Sequence, residues 1–83
     1  MMVRFSAKTL DDLAGTAVQL SYEYEDWTCD HLNEMYKIAK QDNCKYSIDD
    51  LHEATLEADK ARKKGMKYDE AINYVKQIMK KEN

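Results

Sequence analysis

Cys29, His31, Cys44 and His52 carry thiol and imidazole groups, the side chains that zinc sites use most. Their spacing matches no zinc finger, and on a continuous helix Cys29 and His31 point about 200° apart. They read as a half-buried histidine and packed thiols, and no metal or other cofactor is expected. Covalent catalysis needs a nucleophile, a base and an orienting group in one cleft. No HExxH or GxSxG pattern is present, and two glycines, Gly15 and Gly65, are too few for a phosphate-cradling loop. The pairs Asp11-Asp12 and Asp49-Asp50 fall in first turns of helices, where the helix dipole accounts for them. The expectation is a protein without enzymatic activity.

A second chemistry is charge recognition. Asp12, Glu23, Asp26 and Asp30 recur at helical spacing and would form a line of carboxylates roughly 27 Å long on a straight helix. Tyr22, Cys29 and Tyr36 flank that line on one side and Trp27 on the other, which supplies the aromatic anchors that binding hot spots favour. Residues 1–35 hold two basic side chains against seven acidic ones, whereas residues 36–83 hold eleven against nine. The acidic half opposes nonspecific nucleic-acid binding and favours a basic surface on a partner. The partner expected is a protein, one that binds nucleic acid being the best fit to such a ridge. On this reading the chain is a small acidic helical regulator or inhibitor acting by protein–protein association, of the type phages and mobile elements encode. The alternative is a helix-turn-helix transcriptional regulator in residues 48–81. Ala61, Gly65, Met66 and Ala71 have roughly the required spacing there, and Asn73, Lys76, Gln77 and Lys80 would read DNA. Asp69 and Glu70, where phosphates would lie, oppose that docking.

The elements that position these groups are helices. With no proline, 43% hydrophobic and 35% charged residues, the composition excludes a turn-rich β fold and a disordered chain. At 83 residues one all-α domain over 1–83 is expected, with a core of limited size. Apolar groups from Leu10 through Leu13, Ala14, Ala17, Leu20, Tyr24, His31, Leu32, Met35 and Ile38 fall on one arc at 100° per residue, which predicts a single long helix over about 7–40. Ser6 would cap it, with Phe5 stapled to Leu10. Gly15 and the stretch 26–30 are its weak points, and alternation in Ala17 to Glu25 allows a strand instead.

Ser47 and Asp50 form a capping box for a second helix over 48–64. Its buried side is Ile48, Leu51, Ala54, Thr55, Ala58 and Ala61, and it closes at Gly65. A third helix over 68–81 carries Tyr68, Ala71, Ile72, Val75, Ile78 and Met79. Leu56 falls opposite the buried side of the second helix and would be the apolar contact of any partner on that face. The expected architecture is a three-helix bundle in which the first helix, about 50 Å long, outreaches two shorter companions. Leu10, Leu13, Ala14 and Ala17 would then stay uncovered unless a second copy packs on them, so a homodimer built on the first helix is expected. No apolar run is long enough for a signal peptide or a membrane span, and two cysteines do not make a disulfide framework, which suggests a cytoplasmic setting.

Overall fold

A computed structural model describes residues 7–24 and 28–82, except the side chains of residues 81 and 82. The described residues form four helices: α1 (Leu10–Glu23), α2 (Cys29–Ala39), α3 (Ile48–Lys63) and α4 (Tyr68–Glu82). α1 packs on both α3 and α4, these two pack on each other, and α2 lies chiefly against α3. The described chain spans 32 × 28 × 23 Å. A 50 Å rod does not fit that envelope, and the three-helix architecture gives way to a four-helix bundle.

The correction has a local cause. α1 ends at Tyr24, which adopts an extended backbone (φ −116°, ψ 92°), and α2 begins after an equally extended Thr28 (φ −112°, ψ 169°). Thr28 Oγ1 accepts the His31 N–H at 3.3 Å, satisfying an amide that has no partner within the helix, and Asp30 stands in the first turn where the dipole favours it. Threonine followed by an early carboxylate is a helix start, and it outweighs the continuity of the apolar arc. The strand reading also fails, because Ala17 to Glu23 lie within α1.

The beginning of α1 differs too. Thr9 is the N-cap, its Oγ1 accepting from the Asp12 N–H at 3.1 Å. The Phe5–Ser6 signal lies outside the described residues. Ala7 is fully buried, and its carbonyl accepts from the Lys45 N–H at 3.2 Å, which ties the segment ahead of α1 to the α2–α3 connection.

α3 starts at the capping box, with the Asp50 N–H donating to Ser47 Oγ at 3.2 Å and the Ser47 N–H donating to Asp50 Oδ2 at 3.1 Å. It ends in a Schellman turn: Gly65 sits at φ 85°, the Met66 N–H bonds to the Ala61 carbonyl at 3.1 Å and the Gly65 N–H to the Arg62 carbonyl at 3.0 Å. Leu51, Ala54, Thr55, Ala58 and Ala61 are buried, and Thr55 Oγ1 donates back to the Leu51 carbonyl at 2.7 Å. Three alanines on this face let neighbouring helices approach closely. Asp59 is buried as well, beside Arg62 Nη2 at 3.4 Å, since α3 touches all three other helices and has little free perimeter.

Half of α1 is interior: Leu13, Ala14, Thr16, Ala17, Val18, Leu20 and Ser21 are buried. Leu10 packs on the same core from its edge. Coverage of this arc therefore comes from α3 and α4 of the same chain, which removes the reason for expecting a second copy on Leu10, Leu13, Ala14 and Ala17.

Candidate functional site

The break between α1 and α2 divides the carboxylates that a straight helix would have aligned. Asp12 is half-buried near the start of α1, Glu23 is exposed at its end, and Asp30 is exposed on α2. Asp26 and Trp27 lie outside the described residues. Asp11, the neighbour of Asp12, forms an ion pair with Lys76 of α4. Tyr22 is partly exposed, but its hydroxyl donates to the Met66 carbonyl at 3.0 Å and its ring meets Tyr68 edge-on at 5.6 Å. It acts as a strut between α1 and the α3–α4 turn.

Lys76, one of the four DNA-reading candidates, is thus engaged with Asp11, while Asn73, Gln77 and Lys80 are exposed. Asp69 and Glu70 are exposed in the first turn of α4, where they would repel phosphates. Of the four candidate metal ligands, Cys29 is exposed, His31 is fully buried, Cys44 donates its thiol to the Tyr46 carbonyl at 3.1 Å, and His52 is exposed on α3. Among the described residues no group of three or more His, Cys, Asp or Glu side chains is placed to hold a metal ion. No helix among them is long and apolar enough to cross a membrane.

The side chains that the fold does bring together centre on α2. This helix buries His31, Met35 and Ile38, and turns Leu32 and Tyr36 outward at 41% and 53% exposure. Leu32 had its place in the buried arc of the uninterrupted helix. Once α2 is separate, one flank packs on α3 and Leu32 falls on its rim.

Two grooves border Tyr36. The first, about 460 Å³, is polar and is lined by Tyr24, Asp30, Asn33, Glu34, Lys37 and Lys40 as well as Tyr36. The second, about 200 Å³, runs between α2 and α3 and is lined by Leu32, Met35, Tyr36, Ile48, Asp49 and His52. Leu56, 39% exposed, stands one turn beyond His52 on the same face of α3.

Electrostatics differ between the two grooves. In the polar one, Tyr24 stacks on the buried His31 ring at 5.4 Å, and its hydroxyl pKa is raised, first by burial and then by the carboxylates of Glu34, Glu23 and Asp30, with Lys37 opposing. Lys37 pairs with Glu34 at 3.2 Å. The second groove presents apolar carbon, the Asp49 carboxylate and the His52 imidazole.

A sequence signal for this surface existed in two parts: the outward Leu56, and the spacing of Leu32 and Tyr36 four residues apart. It was masked because continuing the helix from Leu20 put Leu32 in phase with the core.

Comparison with protein-family models, with curated proteins and with solved structures finds no match to this chain.

Proposed function

We propose that this chain is a non-enzymatic association module that regulates or inhibits a larger protein partner, and that α2 carries its binding surface. The observation behind this reading is Tyr36. A large aromatic side chain, more than half exposed, stands between a polar groove and an apolar one, with Leu32 beside it and Leu56 on the adjoining helix. Tyrosine is enriched among hot-spot residues because one side chain offers apolar area and a polar tip at low entropic cost. Glu23 and Asp30 add negative charge around Tyr24 and the first turn of α2, and favour a basic partner, such as a protein whose usual ligand is nucleic acid.

The test is affinity capture with covalent cross-linking in the native cell, comparing the natural chain with Tyr36→Ala and with the charge reversal Glu23→Lys/Asp30→Lys. The association reading expects a stoichiometric partner that Tyr36→Ala loses. A chain that elutes alone from native extract and cross-links to nothing would sink it.

A further inference from the structure

We propose that the groove between α2 and α3 receives a basic amphipathic helix of the partner protein. This deepens the association reading and rests on it. The groove has the layout that helix-in-groove recognition uses, in which apolar anchors at i, i+4 and i+7 of an incoming helix need a strip of matching length. Met35 forms a closed floor at 0% exposure and Ile48 is half-buried beside it, while Leu32 and Tyr36 rise as one wall. His52 and Leu56 extend the strip along α3 by a further turn.

The charge along this strip selects the occupant. Asp49 lines the groove, and Glu53 follows His52 on the exposed side of α3. Among the described residues no ion pair engages either carboxylate. Of the bases in the neighbourhood, Lys37 and Lys40 line the polar groove on the other side of Tyr36, His52 lines this one, and Lys60 is bonded to Glu57 at 3.0 Å and also feels Glu53. An incoming helix with lysine or arginine beside its apolar stripe finds two carboxylates there, Asp49 in the first turn of α3 beside His52 and Glu53 within electrostatic reach of Lys60.

The experiment uses the full chain, isotope-labelled for NMR, and a synthetic peptide of about 15 residues built from leucine and lysine at helical spacing. Two controls accompany it: the same peptide with glutamate in place of lysine, and a leucine–lysine peptide of scrambled order. The expected result is binding of the first peptide alone, with amide shifts concentrated in residues 32–36 and 48–56. Leu32→Asp and Leu56→Asp, both on exposed positions and both checked for helicity, each weaken it by about tenfold or more. Asp49→Lys/Glu53→Lys weakens it at low salt and removes most of its salt dependence.

Shifts centred elsewhere, equal binding of the glutamate or scrambled peptide, or no binding at millimolar peptide would overturn the proposal. So would self-association of the chain that Leu32→Asp abolishes, since the groove would then belong to a second copy. A native partner retained by both leucine variants would overturn the groove while leaving the association reading in place.

Discussion

The Tyr22 hydroxyl donates to the Met66 carbonyl oxygen at 3.0 Å, joining the last turn of α1 to the turn between α3 and α4, 44 residues away in sequence. The bond lies at the surface, so water competes for both partners and its net contribution is modest. Tyr22→Phe should lower stability by about 0.5–1 kcal/mol, read as a reduced urea midpoint with an unchanged slope. Tyr22→Ala also removes the ring contact with Tyr68 and should cost clearly more. Equal stability of the natural chain and Tyr22→Ala would show that this strut carries nothing.

The two glycines should respond with opposite signs. Gly65 has φ 85° in the Schellman turn, a conformation in which any Cβ is strained, so Gly65→Ala should destabilise by about 1 kcal/mol. Gly15 lies inside α1, and a Cβ added there meets no atom within 4 Å. Gly15→Ala should stabilise by about 0.5–1 kcal/mol through helix propensity and a less free unfolded chain. Thermal unfolding of the two variants side by side checks both signs.

Leu13 is fully buried by the chain's own helices. Leu13→Ala should therefore cost about 2–5 kcal/mol. Its unfolding midpoint should not vary with protein concentration over a hundredfold range. A concentration-dependent midpoint would mean that the interior around Leu13 is completed by another molecule.

Alkaline pH should weaken the fold through Tyr24 and Tyr68. Burial is the main cause that raises both hydroxyl pKa values; Glu34, Glu23 and Asp30 add to it at Tyr24, and Asp69 and Tyr22 at Tyr68. The folded protein holds these protons more tightly than the unfolded chain, whose tyrosines titrate near about 10. Their contribution is thus whole below about pH 10 and is lost as pH rises through the folded values. The double variant Tyr24→Phe/Tyr68→Phe should lose less stability than the natural chain between neutral pH and about pH 11. Parallel curves for the two proteins would refute the assignment.

Much of the second half of the fold could be read from residue types. Ser47 and Asp50 start α3, Gly65 ends it, and the 3.6-residue rhythm of Leu51, Ala54, Thr55, Ala58 and Ala61 marks its inner face, because each signal is local and strong. The first half was harder for a geometric reason. Leu20 and His31 are eleven residues apart, which on a helix returns to within about 20° of the starting direction. Both are fully buried. An apolar arc thus stays in phase across Thr28 although the helix does not. Phase reports which side chains are covered and says nothing of whether the axis continues. The same ambiguity hid Leu32, whose outward placement depends on α3 being the chief neighbour of α2.

That neighbour relationship gives the bundle an internal hierarchy. α1, α3 and α4 each touch the other two, whereas α2 leans chiefly on one of them. Detaching α2 would forfeit Met35, Ile38 and the His31–Tyr24 stack but keep the packing of α1, α3 and α4 on one another. Sub-global opening, with backbone amides of residues 32–39 trading deuterium ahead of those in α1 and α3, is built into the topology. Whatever grips α2 would brake that exchange and so make itself visible without being identified.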